Sequence, residues 1–563
     1  MKKIFLLSLF FSVMFIEGCT DLEEDVLDES LSGGATSEEA AAGSIAPAYA
    51  IMPGLFLHTN YFALQEISTD EAILPYRGGT DWGDGGIYME MHRHTYTSSH
   101  SRVRDAWNSV LQGVTRSVTA INALSEIEDG DAKVYLAEAR ALRAYYSMLS
   151  LDLFGLIFVK EDLSQTSTIL RGSDAVEYIK NEFLAAVDGV DNNAGPGRIT
   201  QGAIWGLLAR LHLNAAVYRD RYADSFNFTT EDMDKVIEYC DKVTALGQYQ
   251  LSPEYFEIFD DENHTNKELI FAVDQRSDLN GHNRMAYFSL SGDQFPLPNF
   301  PNANGTDGPA ITPDFYQSWV EAYNGADPAP QDPRFYKQNI SIYTNPGDSC
   351  VAGADFEMDR GILRGQQYGL ITAGKGQPFK RCLDGVSYKV GKLFNVTRAN
   401  KTLPVLFTEE VDFDAYSGYS NGYRVEKYEF SKKSDDGRNK GEADIVILRL
   451  ADIYMMRAEA KLRKGNADGA LTDVNAVRAA RTARATPPPP LEEMTLDILY
   501  RERGFEFYWE MLRRTDMIRF GKYEGTWTEK TDTDKRKRLF PIPQSAIDGA
   551  SEIPGFLVQN EGY

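Results

Sequence analysis

Cysteine is scarce in this sequence. The four in 563 residues are too few for a disulfide framework. Cys240 falls on a helical apolar stripe with Met233, Val236 and Val243 and reads as core, Cys350 and Cys382 remain as one candidate pair, and Cys19 stands apart near the N-terminus. Positive charge is short as well: 58 basic residues face 83 acidic ones, a net charge of −25. Such a chain repels phosphate backbones, and no basic face with interleaved aromatics offsets this, so nucleic acid is excluded as a partner. The only basic run, Lys535 to Arg538, follows Asp532 and Asp534 and reads as a solvated loop. The seven histidines supply no HExxH metal motif. Beyond the first residues, no segment is apolar and long enough to hold the chain in a membrane.

What is present suffices for a folded protein. Hydrophobic residues make up 43% of the chain and aromatics 12%, enough to bury a large core, and the length allows up to about four domain units. Lys2 and Lys3 precede an apolar run from Ile4 to Ile16, too short to span a bilayer and suited to a signal peptide over 1–18. Gly18 before Cys19 resembles the cleavage box of bacterial lipoproteins, in which the cysteine sulfur takes a diacylglycerol. Glu17 stands where a small or apolar residue is usual. Several acyl chains form a stable anchor at about 0.8 kcal/mol per buried methylene. Residues 19–37, with Asp21, Glu23, Glu24, Asp25 and Asp28, read as an acidic tether. They resemble the export signal of surface lipoproteins in Bacteroidetes.

Helical periodicity dominates the N-terminal part, 38–249. Tyr135, Ala139, Leu142, Tyr146, Leu149 and Leu153 recur at steps of three and four. Trp107, Leu111, Val114, Val118 and Ile121 do the same before them, and Ile204, Leu208, Leu211, Ala215 and Tyr218 after. The region 250–443 is rich in glycine, proline, asparagine and aromatics, with short strands such as Tyr423 to Phe430. It reads as a loop-rich insertion packed on a helical scaffold. In 444–563, two helices around Gly465 present Ala458, Ala470, Val474 and Val477, a spacing that matches a tetratricopeptide unit. A proline spacer, Pro487 to Pro490, then leads to one long helix from Leu496 to Phe520. The fold class is mostly α, a tetratricopeptide-like scaffold of helical hairpins carrying a loop-rich ligand-binding region.

Catalytic readings fare poorly. Gly418, Tyr419, Ser420, Asn421 and Gly422 spell the nucleophile elbow of hydrolases, but the last histidine, His282, lies upstream and the following residues alternate like a strand. The turn reads as part of a hairpin. His92 and His94 lack a completing ligand set and read as core or surface histidines. Asp81 with Asp84, or Asp412 with Asp414, leaves calcium open, though neither pair follows EF-hand spacing; no other cofactor is implied. Glu502, Glu506 and Glu510 interleave with Arg501, Arg503, Arg513, Arg514 and Arg519. Such neighbours lower carboxylate pKa values, so an ion-pair network is expected rather than an acid/base pair. The binding constellation is Pro75 to Gly86. Five glycines frame Trp82, which is expected to project as a stacking platform for a sugar ring, with Arg77, Asp81 and Asp84 at its edge for hydroxyls.

In this order, several stretches resemble the SusD/RagB family of Bacteroidetes outer-membrane lipoproteins. They include Ser68-Thr69-Asp70-Glu71, the Arg77 to Gly86 loop, Ala137 to Ala144 with Phe154-Gly155, Leu448 to Tyr454, and Ala458-Glu459-Ala460. Asn475 to Arg478, Glu502-Arg503-Gly504-Phe505-Glu506, Arg514-Thr515-Asp516, Ile518 to Phe520, Phe540-Pro541-Ile542-Pro543 and the terminal Gln559 to Tyr563 complete the series. The resemblance implies a non-catalytic protein that binds oligosaccharide at the cell surface. It would act as the lid of a SusC-like TonB-dependent transporter, held to the outer membrane through Cys19. Asn302, Asn304 and Trp319 join Trp82 as candidates by similarity of context. A peptide-binding lid of the RagB kind is the alternative. A surface glycosidase would need two carboxylates at a set separation in a cleft, and no such pair emerges.

Overall fold

The computed structural model describes residues 37–563 apart from 78–81, 128–129, 161–163, 277, 279–282, 341–348, 415–417 and 485–486. The expected signal peptide, Cys19, nearly all of the acidic tether, and Asp81 lie outside the described residues.

The periodic segments form antiparallel helical pairs. Ser101–Ser125 packs on Gly130–Phe154, and Gly172–Ala186, Gln201–Arg219 and Thr230–Ala245 follow in sequence. Their starts are set by side chains that satisfy free backbone donors. Thr200 accepts from the N–H of Ala203 at 3.3 Å and Thr229 from that of Asp232 at 3.1 Å. The C-terminal hairpin is Leu450–Arg463 with Ala467–Ala480; Ala458, Ala470, Val474 and Val477 are fully buried between its helices, and Asn466 caps the second. Among the described residues, no helix is long and apolar enough to cross a membrane.

The single long helix expected from Leu496 to Phe520 is two helices, Leu496–Phe507 and Arg513–Arg519. Trp509 and Met511 between them both adopt a φ of 62°, the left-handed region that side chains other than glycine rarely occupy. Tertiary partners hold the break. The Trp509 N–H donates to Glu71 Oε1 at 2.8 Å, and Glu510 receives Arg449 at 2.7 Å and Lys427 at 2.6 Å.

Glu502, Glu506 and Glu510 do sit in a buried ion-pair network, but their partners are brought from other parts of the chain. Of the neighbouring arginines expected to hold them, Arg503, Arg513, Arg514 and Arg519 pair instead with Asp452, Asp516, Asp70, Asp152 and Glu459. Glu506 meets Arg449 at 2.7 Å, Arg334 at 3.1 Å and Arg481 at 2.5 Å, while Glu502 meets Arg478 at 2.7 Å. Burial alone would raise the Glu506 carboxyl, but Arg481, Arg449 and Arg334 outweigh it and hold it well below the usual carboxylate range.

The loop-rich insertion is pinned at both ends by one strand pair. Leu269–Val273 runs antiparallel to Ile445–Arg449, with Leu269 opposite Arg449 and Val273 opposite Ile445. Between them lie small antiparallel sheets: Arg360–Leu363 runs between Arg424–Glu426 and Tyr336–Lys337, and Tyr388–Lys392 between Tyr368–Leu370 and Ser349–Val351. The strand expected over Tyr423 to Phe430 is therefore shorter than its alternation suggested. Cys350 and Cys382 form a disulfide in this region, and Cys240 is buried as expected. One apolar core runs from Ala41 to Ile542 and unites the N- and C-terminal helices, and a second, from Ala286 to Phe430, lies beneath the loops.

Candidate ligand-binding site

A cleft of about 510 Å³ opens among the loops of the insertion, lined by Tyr287, Asn304, Lys375, Arg398, Tyr419 and Arg438, with Gly292 and the 305–307 backbone as its floor. This size falls within the range usual for small-ligand sites. The floor folds back on the short helix Met285–Ser289: the N–H groups of Thr306, Asp307 and Gly308 donate to the carbonyls of Tyr287, Leu290 and Phe288. A Cβ at Gly305 would strike the Leu290 carbonyl and one at Gly308 the Phe288 carbonyl, so glycine is required at both positions for so close an approach.

The polar groups of the cleft are held in place by one another. Asn304 donates its amide to the Gly292 carbonyl at 2.6 Å and accepts from Lys375 Nζ at 2.7 Å. Arg398 pairs with Asp307 and, at 3.2 Å, with Asp293, and its guanidinium lies 3.9 Å over the Tyr419 ring. Arg438 donates Nε to the Tyr287 hydroxyl at 2.8 Å. Asp293 and Asp307 are thus both engaged by Arg398. What the walls offer a ligand is two tyrosine rings, planar guanidinium and amide groups, and an ammonium. Apolar ring faces beside directed donors suit the C–H faces and hydroxyls of a sugar.

The residues singled out in the sequence scatter. Asn304 lines the cleft and Asn302 is exposed nearby, beside Gly376. Asp84 is exposed, and Asp81 lies outside the described residues. Arg77 does not wait at the edge for hydroxyls. It is buried, donating to the carbonyls of Asp307 and Gly308 at 3.2 Å each and to that of Asn421, which clamps the cleft floor to the Tyr419 turn. Trp319 is no ligand platform either: it has no exposed surface and stacks on Phe505 at 3.7 Å. Its helix, Pro313–Ala322, is capped by Thr312 and turns Phe315 and Trp319 inward together.

Trp82 departs from expectation in an instructive way. The glycines do not hold it out in solvent; it is half-buried, edge-on to Phe288 at 4.9 Å and His58 at 5.5 Å. Its indole N–H donates to the Thr306 carbonyl at 3.1 Å. The ring also borders a separate cavity of about 320 Å³ with Tyr76, Tyr88 and Phe413.

His92 and His94 are buried and engaged: His92 Nε2 lies 2.7 Å from the Thr528 carbonyl and His94 Nε2 2.8 Å from that of Ser68. Burial depresses both imidazoles, His94 to about 4. The Ser420 turn pairs back on Thr408, whose N–H donates to the Ser420 carbonyl at 2.9 Å, and leads into the strand Arg424–Glu426 instead of a helix.

Tyr287, Lys375, Arg398, Tyr419 and Arg438 were not identified from the sequence. They sit on separate loops and, for Tyr287, on a five-residue helix, with no shared periodicity, and the insertion's long loops with their aromatics and asparagines gave the only general signal.

Comparison with known proteins agrees with this architecture. Residues 267–563 match the SusD family model. The starch-binding protein SusD of Bacteroides thetaiotaomicron is 25% identical over 524 residues, covering 89% of this chain and 85% of that protein. Among solved structures, surface glycan-binding protein A of Bacteroides fluxus superposes with a TM-score of 0.63 at 20% identity, covering 94% of this chain and all of that one. Surface glycan-binding protein A of Bacteroides thetaiotaomicron in complex with laminarihexaose gives 0.60 at 18% identity, covering 93% of this chain and 99% of that one. With its helical-hairpin scaffold and inserted loop region, the chain belongs to the SusD family.

Proposed function

We propose that this protein binds oligosaccharide without altering it, in the cleft between Asn304 and Arg398. The observation that carries the reading is the lining itself. Two tyrosine rings stand beside fixed planar donors, and the neighbouring carboxylates Asp293 and Asp307 are both ion-paired with Arg398. Glycoside hydrolysis needs one carboxyl kept protonated and a second left free, whereas these two are occupied. The names of its relatives, which bind starch or laminarihexaose, support a glycan as the ligand class.

The rest of the proposal concerns place and partner. Cys19 carries the lipid anchor at the outer membrane, the chain faces the cell exterior, and it serves as the lid of a SusC-like TonB-dependent transporter to which it delivers the bound glycan. Calorimetry of the mature chain against a glycan panel, followed by product analysis, tests binding and inertness together. Saturable binding with unchanged saccharide is expected. Hydrolysis that follows the purified protein, or binding of peptides alone, would overturn the reading.

A further inference from the structure

The charge around the cleft runs against that of the molecule. In a chain with a net charge of −25, the cleft is lined by three cations, Lys375, Arg398 and Arg438. Three more stand behind its walls. Arg77 donates to the carbonyls of the floor and of the Tyr419 turn. Arg284 donates Nε to the Arg438 carbonyl at 3.0 Å. Arg424 donates to the carbonyls of Tyr419, Asn421 and Gly422 at 2.8–3.1 Å.

Three carboxylates press on this group. Asp293 and Asp307 both go to Arg398, and Asp436 faces Arg284 and Arg438 while accepting the backbone N–H groups of Arg438 and Asn439. With Arg77 set aside, five cations face three carboxylates among the described residues, an excess of positive charge.

Arg424 makes the imbalance sharpest. It is fully buried, packs on the Phe407 ring, and has no carboxylate partner among the described residues. A buried charge without a counter-ion is costly; burial first, and the charge of Arg398 second, push its guanidinium down to about 9. A concave site with low-dielectric walls concentrates such a field at its mouth. Donors are also left over for a ligand: the Nη nitrogens of Arg438 have no protein partner among the described residues, and Lys375 spends one bond on Asn304. A neutral sugar needs directed hydrogen bonds and gains nothing from net charge. Guanidinium forks and an ammonium are the groups that hold carboxylate or sulfate.

Resting on the glycan-binding reading above, we infer that the cleft takes an anionic oligosaccharide, one whose rings bear carboxylate or sulfate groups. The probes are matched pairs measured by calorimetry. An oligogalacturonate is set against its carboxyl-reduced form, and a sulfated galactan oligosaccharide against its desulfated form, with a glutamate-rich peptide as a further arm. The anionic member of at least one pair is expected to bind about tenfold or more tightly than its neutral partner, with the gap closing as salt rises, and which pair responds tells carboxylate from sulfate. Arg438→Gln and Lys375→Gln, both at exposed side chains, should each narrow that gap while the unfolding temperature stays the same. Equal binding of neutral and anionic members would overturn the charge inference and leave the glycan reading standing. So would an anion preference indifferent to both substitutions. Binding of the acidic peptide alone, or of no saccharide at all, would overturn both.

Discussion

The indole N–H of Trp82 is committed to the carbonyl oxygen of Thr306, 3.1 Å away, and Thr306 belongs to the floor of the ligand cleft. The glycine-framed loop therefore acts on the site through the backbone of another loop. Trp82→Ala should lower stability by about 1–3 kcal/mol, between the values for an exposed and a core tryptophan, and weaken glycan binding by loosening the 305–308 segment. Trp82→Phe, which keeps ring packing on Phe288 but loses the donor, should recover most of the stability and less of the affinity. Urea unfolding and calorimetry on both variants separate the two effects, and an unchanged affinity in both would break the link to the floor.

Glu506 is the hub of the buried ion-pair network, touched by Arg334, Arg449 and Arg481. Removing one member of such a group strands the others without a counter-charge, at a cost of about 3–5 kcal/mol. Glu506→Ala should accordingly unfold at much lower denaturant than wild type. A loss under 1 kcal/mol, on the scale of surface pairs, would show that the network adds little.

A different pair of acids gives a pH signature. Glu66 and Glu71 are both buried; burial pushes Glu71 up to about 7, against Arg513 and the Trp509 N–H, and places Glu66 well above its ordinary value, with Glu71 adding to the rise. A carboxyl raised in the folded state binds more protons folded than unfolded, so its contribution to stability falls as pH rises. For Glu71 the loss begins near its ordinary value of 4.5 and is complete above about 7. Relative to Glu71→Gln, which cannot titrate, the wild type should lose up to about 1.4 kcal/mol per pH unit across that window. Parallel stability profiles for the two proteins would contradict the assignment.

Anchoring rests on Cys19. Cys19→Ala, expressed without a partner transporter, should move the protein from the detergent-requiring membrane fraction to the soluble one, since no helix among the described residues can cross a bilayer. Membrane association that persists in that variant would rule out the cysteine as the anchor.

The helical scaffold was legible because its signals are local. Apolar residues spaced three and four apart bury one face of a helix, whatever the rest of the chain does. The break after Phe507 was not legible, because the left-handed Trp509 and Met511 are held by Glu71 and by Glu510's partners from distant parts of the chain. Trp319 was misread although its signal was available: Thr312-Pro313 marks a helix start, and Phe315 and Trp319 lie one turn apart on its inner face. Arg77 looked like a ligand contact because a sequence does not show which carbonyls a guanidinium will find. The cleft depends on separate loops meeting, and only the composition of the insertion hinted at it.

The strand pair that pins the insertion is also riveted by charge: Glu268, just before its first strand, meets Arg449, at the end of its second, at 2.6 Å. A segment whose two ends are bonded to each other makes little demand on the scaffold for its length or inner course, since loop closure grows only slowly more costly with length. Recognition can therefore diverge in the outer loops while the helices beneath stay as they are, but only around fixed roots. Trp319 on Phe505, Arg334 on Glu506, and the cleft floor under Arg77 and Trp82 are places where insertion and scaffold must change together.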